Sequence, residues 1–325
     1  MKKPAAIISF IIVISMLSIS LSCSKGKVEK QYLQLKLINE DSRQVTYSGY
    51  SGKRISIKKK PKRVVVLFNS FLDLWYFAGG KAIARVNGKI NVPDAAKNIE
   101  IVGNLGNPNL EKIIALKPDL VIINREMRGQ RKLKGFLDSS GIKSIELSYF
   151  NYNDFLFISD LFCRINDNKK GLKKINVIKS KVDSIISRCP KSNNPLVMIT
   201  FATPSNITTE LPTGDTGAML KMLNGRNIAK DSPIKKGIRV DMSIETITAM
   251  NPDIMLVKMM GRQEQVETRM NSYFQNNSSL NGIKAIKNKK IYYLPRTYFM
   301  YKPNARYPEA FLYLAKILYP EIFSK

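Results

Sequence analysis

Two acids placed alike in two similar stretches are the first residues here whose type and spacing could do chemistry. Glu111 lies in Asn109–Ile123, NLEKIIALKPDLVII, and Glu245 lies in Ser243–Val257, SIETITAMNPDIMLV. The two glutamates are 134 residues apart, and the stretches align about them without a gap. Each stretch reads as a short helix with Ile and Leu or Met on one face. A proline fixes its own φ and pushes the residue before it out of the helical region, which stops the helix. An acid in the first helical turn is stabilised by the helix dipole, an ordinary use. Two at matching places in a chain so poor in acids read instead as a pair of presented charges.

The second group is cationic and aromatic. Arg85, Arg125, Arg128, Lys258, Arg262 and Arg296 lie in or just beyond apolar runs that read as strands, together with Phe68, Asn69, Ser70, Thr203 and Tyr298. Arginine forks grip carboxylate or catecholate oxygens in pairs, and aromatic faces supply flat contact area. Converging in one groove, this mixture suits a bulky anionic chelate better than a sugar or a peptide.

Composition narrows the chemistry. The chain has 53 Lys and Arg against 25 Asp and Glu, a formal charge of +28, and no histidine. Without imidazole there is no histidine-based triad and no usual transition-metal ligand, so a bare-metal site is not expected. A ligand bringing its metal already wrapped fits better, with no resident metal or cofactor. The lysines are scattered rather than clustered with aromatics, which argues against nucleic acid. No Gly-x-Ser-x-Gly elbow, Walker loop or metal-spaced cysteine set is present, so an enzyme is not expected. Asp119 and Asp253 each follow the helix-stopping proline and read as turn residues. A surface adhesin is a third class, and it would have no small ligand at all.

The elements that must position these groups are legible. Val64–Leu67, Leu120–Ile123, Leu196–Phe201 and Ile254–Val257 are continuous apolar runs, as in parallel strands buried on both faces. Their carboxyl ends are where ligands bind in open α/β sheets. Tyr47–Ile57 reads as a hairpin, and Trp75 as a core residue of an apolar helix. Ile142–Leu147 reads as the last strand of a first lobe, and Pro308–Leu318 as a closing helix. Lys169–Arg188 has Leu172, Ile175, Ile178, Val182 and Ile185 at helical spacing, roughly 30 Å of helix. Cys163 and Cys189, at its two ends, are too far apart to pair. The glycine-bracketed Thr213–Gly217 turn offers amides that could hold an anion.

The amino terminus has a different character. Residues 1–22 combine Lys2, Lys3 and an uncharged apolar run in the layout of an export signal, with Cys23 as the lipidation candidate. Ser20 departs from the usual leucine of a lipoprotein cleavage site. Residues 23–45 read as a Lys-rich tether, 46–153 as an amino-terminal α/β lobe, 154–192 as the linking-helix region, and 193–325 as a carboxyl-terminal α/β lobe.

The doubled Glu-x-Ile-x-Ala-(Leu/Met)-x-Pro-Asp signature resembles that of the periplasmic binding proteins of ABC importers for iron-siderophores, haem and vitamin B12. The resemblance spans roughly residues 46–325. It implies two Rossmann-like α/β lobes joined by one long helix, with the ligand cleft between them. It also implies a monomer held at a bacterial membrane, in the periplasm or at the cell surface, that delivers its ligand to an ABC permease and ATPase. Glu111 and Glu245 match the family's permease-docking glutamates. The ligand implied is a ferric siderophore, with haem or a corrinoid as alternatives. Asn104 stands where the haem receptors often carry tyrosine.

Overall fold

The computed structural model describes residues 35–192, 194–232 and 237–323. Cys23, the export signal and the tether up to residue 34 lie outside the described residues. Two parallel sheets organise the chain. In the first lobe the strands run in the order Ser144–Leu147, Leu120–Asn124, Val64–Val66, Ala84–Arg85, Glu100–Ile101, all parallel. In the second, Ile291–Tyr293, Ile254–Met259 and Leu196–Ala202 follow the same order, and Arg226–Asn227 also pairs in parallel with Leu196–Val197. The four-strand arrangement is thus repeated. The second lobe adds Ile207–Glu210 and Arg239–Val240 as antiparallel strands that the sequence pattern did not announce.

The strands are apolar throughout because both faces are covered, as period-two alternation requires. Val65, Leu67, Val121 and Ile123 pack with Ile113, Leu133 and Leu137 on one side of the first sheet. Val64, Val66, Leu120 and Ile122 pack on the other with Phe71, Trp75 and Phe162. In the second lobe Met198, Met255, Val257 and Met259 meet Ile247, Val266 and Met270. Its opposite face, with Val197, Ile199, Ile254 and Leu256, joins the cluster that contains Trp75. One apolar core therefore runs through both lobes.

Helices Tyr152–Ile165, Lys169–Ser187 and Tyr307–Leu318 carry that core across. Phe155 and Tyr307 lie 5.1 Å apart between ring centres, and Tyr152 and Phe311 5.3 Å. Lys169–Ser187 is the long helix expected between the lobes, and the free thiols of Cys163 and Cys189 are buried at its two ends.

The doubled signature is doubled in structure. Asn109 and Ser243 cap helices Leu110–Ala115 and Ile244–Met250, each accepting from the amide three residues on. Lys117 and Asn251, before the prolines, leave the helix for the left-handed region, with φ of 46° and 48°. The aspartates then fasten the neighbouring strand. Asp119 accepts from the amides of Lys62 and Arg63 at 2.7 and 3.0 Å, and Asp253 from that of Leu196 at 2.8 Å. Their role is in the turn, as expected, and each holds the start of a central strand.

One segment departs from the sequence reading. Lys36–Glu40, inside the stretch read as tether, is a strand in a three-stranded antiparallel sheet with Gln44–Ser48 and Arg54–Lys58. The polar, Lys-rich stretch around it hid it, and the strand itself is only partly buried. Glu40 ties it down by ion pairs to Lys59 and Arg164 at 2.7 and 2.6 Å.

Candidate functional site

The lobes meet at the carboxyl ends of their strands, where a polar knot closes the seam. Lys302 reaches from the second lobe to the Phe150 carbonyl at 2.8 Å, and it pairs with Asp215 at 3.1 Å. The Asn304 amide donates to the Ser70 carbonyl and to Asp73, at 3.1 and 2.7 Å, and its side-chain oxygen accepts from the Tyr149 hydroxyl at 3.0 Å. Asn304 stands at φ 53°, a conformation that asparagine tolerates better than most residues. Asn91 bridges Ser70 Oγ and the Lys302 carbonyl. Burial raises the Tyr149 and Tyr307 phenols well above their ordinary range, and it raises the carboxyls of Asp73 and Asp154. Beside the knot is a cavity of roughly 530 Å³ between Asp73, Lys89 and Asn91 of the first lobe and Thr297, Tyr301 and Arg306 of the second.

None of the residues chosen from the sequence lines that cavity, and several have other employment. Arg85 is buried, and its guanidinium donates to the carbonyls of Val86, Gly88, Ala96 and Lys97 at 2.9–3.1 Å. It organises the loop after its strand, with four of its five N–H hydrogens engaged there. Lys258 is buried against Glu210 at 2.6 Å. Periodicity shows neither cause: Arg85 is covered by the loop after its own strand, and Lys258 by Glu210 of the antiparallel strand Ile207–Glu210.

Other assignments shift in degree. Thr203 stands at its strand's end, but its hydroxyl accepts from the amides of Ser205 and Asn206 in a tight turn. Arg125 stacks over the ring of Tyr50 at 4.5 Å. Arg296 donates to the Gly261 carbonyl at 2.9 Å and the Tyr301 hydroxyl at 3.1 Å. Ser70 and Asn69 are held by Asn91 and by the Asn87 carbonyl, respectively. Phe68 and Tyr298 pack their rings against the edge of the core. The Gly214–Gly217 turn already has its anion, because Glu210 accepts from the Gly217 amide at 3.0 Å.

Two cations remain uncommitted. Arg128 and Arg262 are exposed and make no ion pair or hydrogen bond among the described residues. They are 134 residues apart, the offset that separates the two glutamates. Each opens the helix that follows the central strand of its lobe, Arg128–Ser139 and Gln263–Gln275. A cation at a helix amino terminus opposes the helix dipole, so each position adds positive potential to an end that is already positive. Gln130 fixes the first by donating to the Leu67 and Leu105 carbonyls while accepting from the Asn124 amide. Gly261 sets the second through a φ of 119°, where a Cβ would also press on Pro204. Exposed apolar side chains, Phe150 and Met260, stand beyond strand ends of the two lobes.

Glu111 and Glu245 are exposed in their first helical turns and carry no salt bridge among the described residues. No group of three His, Cys, Asp or Glu is placed to hold a metal ion among those residues. No helix among them is long and apolar enough to cross a membrane.

Comparison with known proteins gives the same outline. A family model described as periplasmic binding protein matches residues 64–298. The Fe(3+)-citrate-binding protein YfmC of Bacillus subtilis (strain 168) is 24% identical over 279 residues, covering 83% of this chain and 81% of that protein. The high-affinity heme uptake system protein IsdE of Staphylococcus aureus (strain MRSA252) is 25% identical over 238 residues, 71% of this chain and 78% of that one. The crystal structure of an ABC transporter substrate-binding protein from Listeria monocytogenes EGD-e superimposes with a TM-score of 0.68 at 22% identity, covering 81% of this chain and all of that one. The vitamin B12 binding protein BtuF of Vibrio cholerae gives 0.65 at 18%, covering 82% and 99%.

Proposed function

The chain belongs to the periplasmic binding protein family, and on that premise we propose that it captures an anionic metal chelate of the ferric-siderophore class outside the cytoplasmic membrane and delivers it to an ABC permease. The observation that carries this reading is the repeat-related pair Arg128 and Arg262, one cation per lobe, free and set against the helix dipole. Two such groups, one from each lobe, suit a ligand that presents acidic oxygens on two sides. The similar Bacillus protein is named for ferric citrate, a ligand of that chemistry.

A haem or corrinoid ligand is the second reading, favoured by the exposed Phe150 and Met260, which would suit a broad apolar face. Glu111 and Glu245 dock on cationic positions of the permease, where two isolated acids on a basic body give register to a weak encounter. Cys23 carries the lipid that keeps the protein at the membrane, and two or more acyl chains make such an anchor stable.

The test is titration of the apo-protein with ferric citrate, a ferric hydroxamate, haem and cobalamin. Arg128→Gln combined with Arg262→Gln should lower affinity for the anionic ferric chelates by about ten- to a hundredfold, the range for charge-assisted bonds at a partly exposed site. Tight binding to cobalamin alone, unaffected by the double substitution, overturns the siderophore reading.

A further inference from the structure

The long helix between the lobes has a second face that the ligand site does not use. Lys169, Lys170, Lys173, Lys174, Lys179 and Lys181 are all exposed, against one exposed acid on that helix, Asp183, which pairs with Lys179. Lys170, Lys174, Val177 and Lys181 fall at spacings of four, three and four, so they form one stripe. Val177, in its middle, is 54% exposed. The stripe borders a groove of roughly 680 Å³ whose walls include Val177, Ile185, Pro308 and Leu312, with Lys181 and Arg188 at its edge. Cations around an exposed apolar strip make the pattern of a helix lying in a bilayer interface.

Topology places this face. The turn before the helix is held by Lys60, whose amide donates to the Ile165 carbonyl and whose ammonium pairs with Asp167. Lys60 lies just ahead of the strand Val64–Val66, and the far end of the helix leads into the start of Leu196–Ala202. The helix thus spans the amino ends of both sheets. Glu111 and Glu245 begin helices that run back against the following strands, so they stand toward the carboxyl ends, at the other pole. The first strand, Lys36–Glu40, is pinned at the helix pole through Glu40 and Arg164. From Cys23 to Leu35 is twelve residues, a reach of about 40 Å at most.

We propose that the lysine stripe of the linking helix is a resting contact for an anionic phospholipid surface, holding the docking glutamates away from the bilayer until the permease captures them. The proposal rests on the lipid anchor and docking roles given above. A short tether keeps the stripe at high local concentration over the membrane, and its attraction acts only within about a Debye length, 8–10 Å. The two poles cannot face the bilayer together, so resting and delivering are alternative postures of one molecule.

The experiment uses the full-length protein in vesicles of phosphatidylcholine alone or mixed with phosphatidylglycerol, carrying a fluorophore at Ser184→Cys on the helix or at Lys112→Cys at the docking pole. Quenching by brominated lipid should be several-fold stronger at position 184 in the anionic vesicles, disappear in high salt, and remain weak at 112. Lys170→Glu, Lys174→Glu and Lys181→Glu together should weaken the contact roughly a hundredfold, about fivefold for each lysine, with the melting temperature unchanged. Quenching independent of lipid charge, or stronger at 112, overturns the proposal. So does a stripe that binds soluble polyphosphate but not the anionic vesicles. If the protein fails to float with phosphatidylcholine vesicles, it is the anchor reading that fails. Flotation with anionic vesicles then decides the helix, supporting the stripe if the triple variant abolishes it and refuting it if the triple variant floats equally.

Discussion

Replacing Lys258 by Met separates a ligand-binding lysine from a structural one. In the structure its ammonium is 2.6 Å from Glu210, and the two side chains are 8% and 2% exposed. Glu210 also accepts from the Gly217 amide at 3.0 Å, and its own carbonyl accepts from Asn227 at 2.9 Å. The pair therefore joins the central strand Ile254–Met259, the antiparallel strand Ile207–Glu210 and the start of helix Asp215–Met222. Removing the ammonium leaves a carboxylate buried with one amide for company. Breaking a buried pair from one side costs about 3–5 kcal/mol, because the surviving charge keeps its desolvation penalty.

For a lobe of this size, each kcal/mol moves the melting temperature by about 2–4 °C or somewhat more, so a fall of roughly 10 °C is expected. Adding Glu210→Gln removes the stranded charge, and the double variant should recover at least half of the loss. Thermal melts and ligand titrations of the two variants, taken side by side, give both quantities. A Lys258→Met protein that melts within a degree of the parent but binds its ligand tenfold more weakly would refute the structural assignment.

Three further outcomes follow from the same geometry. Arg85→Met removes the donors to four loop carbonyls, so it should destabilise by about 2–4 kcal/mol in denaturant unfolding, with any loss of ligand affinity following from misfolding of that loop. Replacing both Glu111 and Glu245 by Ala should leave ligand affinity within twofold and the melting temperature within a degree or two, on the scale of one helix-dipole contact each, while uptake in cells falls at least tenfold; unchanged uptake would remove their docking role. Asp73 has its carboxyl pKa raised by burial, against the lowering effect of the Asn304 amide. Its folded value lies above its unfolded one, so the stabilisation from its protonation is present below the unfolded value and lost as pH rises through the folded value. Asp73→Asn should therefore be no less stable at neutral pH and should show a smaller gain in melting temperature on mild acidification than the parent.

Much of this architecture was legible because it depends on local patterns. The continuous apolar strands, the proline-terminated signature helices and the amphipathic spacing of Lys169–Ser187 are each decided by a dozen residues. Side-chain partners across the fold were not legible. Nothing around Arg85 in the sequence announces that residues 86–97 will fold back to present their carbonyls, and Lys258 meets Glu210 only because an antiparallel strand lies beside the parallel core. Asn304 was missed for the same reason: it acts on Ser70, Asp73 and Tyr149, from 155 to 234 positions away. The strand Lys36–Glu40 was lost to composition, since an edge strand with only partial burial need not be apolar.

The way the lobes are joined also bears on how a ligand is held. In a hinge built from flexible crossings, closure would supply most of the difference between the free and loaded states. Here the apolar core is continuous through Phe155, Tyr307 and Phe311, and the seam is locked by hydrogen bonds from Lys302 and Asn304. Opening it would expose aromatic surface and break the bonds from Lys302 to the Phe150 carbonyl and from Asn304 to Ser70, Asp73 and Tyr149, a cost of several kcal/mol at about 1 kcal/mol or more for each bond lost. A ligand of micromolar to nanomolar affinity has about 8–12 kcal/mol in all, and a site that spends most of it on moving lobes would bind poorly. The economical arrangement is a preformed groove whose changeable parts are side chains. Arg128 and Arg262, exposed and unpaired at the starts of two rigid helices, are groups that can turn toward a ligand without moving anything else.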